Sequence, residues 1–259
     1  MVSLAGKRVL VTRAAEQAGP FISQLQERGA RVVECPTIQL APPEQWEPVD
    51  AALRQLSDFD WLILTSANGV RFLFERLAQL GLSAAALQGC KICVVGPKTA
   101  EALMRRGVTA HLVPEQFTGE GVVAAFAGID LRGTRVLFPK AGGARDVIPR
   151  LLAEQGAEVL DPVLYRTLMP AQLPEAARHA LEGRKLDLAI FSAPSTVQNL
   201  AALVGGADRL AQLLQGVLVA SIGPITSRAC RELGLTVAVE PHQATLSDLL
   251  AALENSTIS

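Results

Sequence analysis

VVGPKTAEALMRRGV (residues 94–108) is written again as ASIGPITSRACRELGL (residues 220–235). Each copy runs from an apolar stretch through Gly-Pro-x-Thr into a short helical pattern closed by Gly. Gly96 and Gly223, Thr99 and Thr226, and Gly107 and Gly234 all stand 127 residues apart, so the register holds without an insertion. The same spacing lays KRVLVTR (7–13) on TRVLFPK (134–140) and LQERGARVVE (25–34) on LAEQGAEVLD (152–161). It also lays DWLILTSANGV (60–70) on DLAIFSAPSTV (187–197). One such match could be chance; collinear matches at a single offset mean tandem duplication. The period far exceeds the roughly 20–50 residues of a solenoid repeat, so each copy is sized for a globular unit.

Within the first copy, RVLVT (8–12), RVVEC (31–35), WLILT (61–65), ICVVG (92–96) and AHLV (110–113) are short, apolar and rich in branched residues, as strands buried on both faces are. The second copy repeats them as RVLFP, AEVLD, LAIFS, VASIG and TVAVE. Helical patterns lie between them at 17–28, 69–80, 98–106 and 121–127, and Gly29, Gly81, Gly107, Gly156 and Gly234 stand where C-terminal caps belong. Strands alternating with helices predict an α/β fold with parallel sheets. The Pro-rich stretches CPTIQLAPPEQWEP (35–48) and DPVLYRTLMPAQLP (161–174) hold equivalent places in the two copies. Each carries a short extended segment, TIQL or VLYRTL. If both are joints between the same two bodies, the chain crosses out and back; the repeat alone would cut the chain near Gly133.

The composition bounds the function. At 49% hydrophobic and 19% charged, the chain of 259 residues can fill two small cores. A net charge of −1 gives no general attraction to nucleic acid or an anionic membrane, and eight Phe, two Trp and one Tyr are too few for a base-stacking surface. The start MVSLAGKRVL reads as a lead-in to a strand rather than a secretion signal, and no apolar run approaches a membrane span. A cytoplasmic protein is expected. Cys90 and Cys93 match C-x-x-C, but they lead into a strand, point to opposite faces and have no second ligand pair, so buried, inert thiols are expected, as for Cys35 and Cys230. His111, His179 and His242 are scattered, and no metal site is expected.

No Walker loop, complete G-x-G-x-x-G or G-x-S-x-G motif is present; Gly119-Glu120-Gly121 has Ala124 where the last Gly belongs. What repeats is a set of strand-to-helix turns with small hydroxyl residues: Thr65-Ser66-Ala67-Asn68, Ser192-Ala193-Pro194-Ser195, Gly96-Pro97-Lys98-Thr99 and Gly223-Pro224-Ile225-Thr226. Each residue could simply cap a helix. Together they lie at the carboxyl ends of parallel strands, where backbone N–H groups and helix dipoles suit an anion.

The ordered set VLVTR, DWLILTSANGV, VVGPKTAEAL, Tyr165-x-Thr167, FSAPSTV and IGPITSRA resembles uroporphyrinogen-III synthase over essentially the whole chain, from Arg8 to about Leu253. The resemblance implies two similar α/β domains joined by a two-stranded connection, with a ligand cleft between them. Residues 1–36 with 169–259 would form one domain, 41–162 the other, and 37–40 with 163–168 the connecting strands. It implies a cofactor-free carbon–oxygen lyase that cyclises hydroxymethylbilane to uroporphyrinogen III, loses water and inverts the last pyrrole ring. The partners implied are that small-molecule substrate and hydroxymethylbilane synthase upstream, with no nucleic acid or membrane and a monomeric state. By motif, Tyr165 would assist loss of the hydroxyl, or else pack as a linker aromatic. Thr99, Gly223 and Thr226 would line the cleft, and Ser66, Asn68, Ser192 and Ser195 would contact substrate. Arg13 and its repeat partner Lys140 could meet carboxylates or merely end strands in solvent. Ala14 departs from the family's usual Pro, and SAPS (192–195) from its usual TSPS, which leaves open which hydroxyl faces substrate. A non-catalytic binding module for a small anion or tetrapyrrole is the alternative; a chain ending at NSTIS (255–259) counts against a DNA-binding regulator. A glycosyltransferase-like enzyme lacks its acidic pair and nucleotide loop here.

Overall fold

The fold is that of a computed structural model describing residues 4–255, apart from the side chain of Glu16. The lead-in at 1–3 and the tail at 256–259 lie outside the described residues. The strands are β1 (Arg8–Val11), β2 (Arg31–Glu34), β3 (Gln39–Ala41), β4 (Trp61–Leu64), β5 (Lys91–Val94), β6 (Arg135–Leu137), β7 (Lys140–Ala141), β8 (Glu158–Leu160), β9 (Val163–Leu168), β10 (Leu188–Phe191), β11 (Leu218–Ser221) and β12 (Val237–Val239). The helices are α1 (Ala15–Glu27), α2 (Glu47–Arg54), α3 (Ala67–Gln79), α4 (Pro97–Met104), α5 (Gly119–Ala125), α6 (Val147–Glu154), α7 (Glu175–Glu182), α8 (Pro194–Val204), α9 (Ala207–Leu213), α10 (Pro224–Glu232) and α11 (Leu246–Asn255).

The chain divides into two compact units, Met1–Leu40 with Leu168–Ser259, and Ala41–Thr167. The first unit holds the sheet β12-β11-β10-β1-β2 and the second the sheet β5-β4-β6-β8, both parallel throughout. A small sheet, β3-β9-β7, lies where the chain passes from one unit to the other. Each large sheet takes its strands from both copies of the repeat. In the first unit Val9 faces Leu188, and Leu188 faces Leu218. In the second, Trp61 faces both Val136 and Lys91. These pairings are the same ones displaced by 127 residues, with the copies exchanged. The two similar halves of the sequence are therefore interlaced.

Alternation along the strands explains the cores. Leu10, Ala189 and Phe191 pack with α7, α8, α9 and α10 on one face of the first unit's sheet. Val9, Val11, Leu188 and Ile190 pack with α1 and α11 on the other. A parallel sheet covered on both faces requires apolar residues at successive positions, which is why LAIF and WLIL are buried without a break. In the second unit Trp61 meets the edge of Phe126 at 4.8 Å between ring centroids. Gly29, Gly81, Gly107, Gly156 and Gly234 all have φ between 73° and 94°, the left-handed conformation of a helix stop.

Two expectations need correction. AHLV (110–113) is not a strand; only Leu112 forms a bridge, to Cys93. The imidazole Nδ1 of His111 instead accepts the Ile92 N–H at 3.0 Å, so a side chain takes a backbone donor at this edge. The helical patterns read from the sequence also omitted α2, which starts at the end of the first Pro-rich stretch. Pro48 lies in the first turn of α2, where its missing N–H costs nothing.

Candidate functional site

In open parallel sheets the carboxyl ends of the strands, at the point where strand order reverses, offer a crevice. That point falls between β1 and β10 in the first unit and between β4 and β6 in the second. Thr12 and Arg13 follow β1 and Ser192 follows β10; Ser66 follows β4 and Lys140 lies just beyond β6. The neighbouring strands β5 and β11 deliver Gly96 with Thr99 and Gly223 with Thr226.

Helices α3, α4, α8 and α10, which start on these rims, are not capped alike. Only α3 has a side-chain cap: Ser66 Oγ accepts the Gly69 N–H at 2.9 Å. The N-caps of α4, α8 and α10 are Gly96, Ala193 and Gly223, each followed by Pro and none with a side-chain hydrogen bond. Capping thus accounts for Ser66 alone. The other starts keep their dipole ends without a side-chain acceptor, as an anion site requires. Thr99 and Thr226 lie inside the first turns and are buried. Asn68, Ser192 and Ser195 are half-buried, and their side chains bond to no described residue. At Gly223 a Cβ would come within 3.1 Å of Ala244 Cβ, so a side chain here would crowd the neighbouring loop.

Tyr165 lies on β9 in the second unit and is 7% exposed. Its ring stacks on Phe72, 5.1 Å between centroids and 9° from parallel, and its hydroxyl is 3.0 Å from Ser66 Oγ. Arg71 lies over the same Phe72 ring at 4.4 Å and pairs with Glu75. Sequence reading did not single out Phe72 or Arg71. The signal was available in the repeat, where the counterpart of Phe72 is Asn199.

The two expected cations differ. Arg13 bonds only to Gln17 Oε1, at 3.1 Å; its Nε is buried without a partner, and burial lowers its pKa. No described carboxylate neutralises it. Lys140 lies between Asp161 at 2.5 Å and Asp146 at 2.8 Å. Burial opposes its charge, but the hydrogen bonds and charges of Asp146 and Asp161 prevail and hold it above the usual lysine value. All four cysteines are buried free thiols. Burial pushes Cys35, Cys90 and Cys93 up to about 12 and Cys230 to about 11, which removes their nucleophilic form near neutrality. Among the described residues no three His, Cys, Asp or Glu side chains group as metal ligands, and no helix is long and apolar enough to cross a membrane.

Residues 19–251 match the family model of uroporphyrinogen-III synthase HemD. The chain is 42% identical to the uroporphyrinogen-III synthase of Synechococcus elongatus, over 97% of this chain and 96% of that one. It is 30% identical to the uroporphyrinogen-III synthase of Chlorobaculum parvum, over 91% and 93%. In fold it is similar to a crystal structure of a mutant uroporphyrinogen III synthase from Thermus thermophilus, with a TM-score of 0.62, 24% identity and coverage of 96% and 98%. The uroporphyrinogen-III synthetase of Helicobacter pylori gives a TM-score of 0.58 at 17% identity, covering 95% and 96%.

Proposed function

The chain belongs to the uroporphyrinogen-III synthase family, and from that premise we propose that it cyclises hydroxymethylbilane to uroporphyrinogen III. Its end-to-end likeness to the Synechococcus elongatus enzyme carries this reading. The net change is loss of one water, which makes the enzyme a cyclising carbon–oxygen lyase. The electron-rich pyrrole next to the hydroxymethyl carbon expels the hydroxyl as that oxygen gains a proton. The substituted carbon of the last ring then attacks, giving a spiro intermediate whose rearrangement inverts that ring. The pyrrole carbon that forms the closing bond releases a proton, which balances the one consumed.

Because such a substrate also closes unaided, to the uninverted isomer, the protein's main task is to select a geometry. Positioning a flexible polycarboxylate supplies that selection. We assign carboxylate capture to Arg13, which has no carboxylate partner among the described residues, and to the uncapped helix starts at Gly96, Ala193 and Gly223. Thr99, Thr226, Asn68, Ser192 and Ser195 add polar contacts around them. Lys140, already held by two aspartates, is a secondary contact. Tyr165 gives the proton to the departing hydroxyl. The enzyme is placed in the cytoplasm as a monomer that receives a short-lived substrate from the hydroxymethylbilane-forming enzyme.

A single-turnover assay on fresh hydroxymethylbilane tests the assignment. Tyr165→Phe keeps the ring and its stacking on Phe72 but loses the proton, so consumption should slow by about 10²-fold, the low end for acid–base assistance because the leaving group departs readily. A folded Tyr165→Phe protein with unchanged turnover would leave Tyr165 as a packing residue.

A further inference from the structure

The two rims follow one pattern, so a chemical group present on one and absent from the other is a specific addition. Ser66 and Tyr165 have Ala193 and Ile38 as their counterparts 127 residues away, and Phe72 has Asn199. In the first unit the equivalent corner is closed by internal bonds. Thr37 Oγ1 donates between the Thr12 and Thr196 carbonyls at 3.2 and 3.1 Å, Thr12 Oγ1 donates to the Ile190 carbonyl at 2.9 Å, and Asn199 Nδ2 donates to the Thr37 carbonyl at 2.8 Å. Each of these three side chains donates to backbone. The second unit keeps two hydroxyls facing one another instead.

We infer that Ser66 is a positioning residue for Tyr165: its hydroxyl donates to the phenol oxygen and leaves the phenol proton free for the departing hydroxyl. This rests on the reading of Tyr165 as proton donor. A serine hydroxyl has one proton and two acceptor sites. The Gly69 N–H occupies one acceptor site at 2.9 Å, which fixes the oxygen as the cap of α3. Among the described residues the phenol oxygen, at 3.0 Å, is the remaining partner for the Ser66 proton. The opposite direction would hold the phenol proton against the protein and leave the serine proton unplaced. A phenol that accepts a hydrogen bond is also the more polarised donor. Phe72 fixes the plane of the ring, so both the direction and the distance of the donated proton are set before substrate arrives.

Substitutions at Ser66 separate this role from helix capping. Aspartate is a good N-cap and its charge suits a helix start, so Ser66→Asp should melt close to wild type. An ionised carboxylate only accepts, however, and would draw the phenol proton to itself. Its single-turnover rate should fall about tenfold or more, while Ser66→Thr, which keeps cap and donor, should restore most of it. Ser66→Ala in a Tyr165→Phe background should slow turnover no more than about twofold beyond Tyr165→Phe alone, because both changes remove one interaction. Tyr165 is the only tyrosine of the chain, so a ring labelled with carbon-13 at Cζ gives one resonance, which Ser66→Ala should shift. Losses that multiply in the double variant, or an unshifted resonance, would overturn the role of Ser66 while leaving Tyr165 as donor. A fast Tyr165→Phe enzyme would overturn the reading beneath it.

Discussion

Asp50 accepts from Arg76 Nε at 2.6 Å and from Nη2 at 2.5 Å, with side chains 15% and 17% exposed, and the Trp46 ring lies beneath the guanidinium at 4.3 Å. The Arg76 hydrogen bond holds the Asp50 carboxyl below its ordinary value, against the opposing effect of burial. A carboxylate with a depressed folded-state pKa stabilises the protein above the unfolded value of about 4, and the contribution is lost as pH falls through the folded value. Asp50→Asn should therefore cost about 2 kcal/mol at pH 7, with the gap to wild type closing in melts below about pH 4. A gap that stays constant down to pH 3 would show that the pair acts through shape rather than charge. At this scale the sequence is legible where the neighbours in the chain decide the outcome. Apolar flanks placed the four thiols inside, and burial alone accounts for most of their inertness. It is silent where a partner is remote. Asp161 lies 21 residues from Lys140, and Ser66 lies 99 from Tyr165; only the mismatch with Ala193 and Ile38 marks that second pair in the sequence.

At the scale of elements, Gly119-Glu120-Gly121 looks like the start of a nucleotide loop and is a packing device. A Cβ on Gly121 would come within 2.1 Å of the Gln116 carbonyl oxygen, and Thr118 Oγ1 accepts the Gly121 N–H at 3.0 Å to cap α5. Gly121→Ala must move that backbone and should lower stability by about 1–3 kcal/mol with no change in ligand preference. A melting curve checks this, and an unaltered midpoint would mean that the loop yields freely. The strands of both copies and the glycine stops were legible because their determinants are local: branched apolar runs, and a residue able to reach positive φ. AHLV was misread for a local reason of another kind. A histidine acceptor beside a strand edge competes with the ladder, and hydropathy does not register a competing acceptor. The start of α2 lies inside a stretch singled out for its prolines, yet a proline in the first turn is compatible with a helix.

At the scale of the molecule, the repeat and the units do not coincide. The tandem copies meet near Gly133, yet the chain divides at Leu40 and Leu168, so each sheet closes only with strands from both copies. Residues 41–167 contain a whole sheet, β5-β4-β6-β8, with its own core, and expressed alone they should unfold cooperatively. Residues 1–132 lack β6 and β8 from one sheet and β10 to β12 from the other, and should show no cooperative transition. The reverse outcome would contradict the interlaced architecture. The 127-residue register shows which segments are alike but not which of them pair, so the repeat left the exchange of halves open and only the family resemblance implied it. As a member of its family, this chain selects the inverted ring closure. The most direct test is isomer analysis of the product formed when the purified wild-type protein meets fresh hydroxymethylbilane, oxidised to porphyrin and separated against a protein-free control. Uroporphyrin III as the main product is the predicted result. Uroporphyrin I alone, at the rate of the control, would contradict the account and leave a module that binds tetrapyrroles without catalysing their closure.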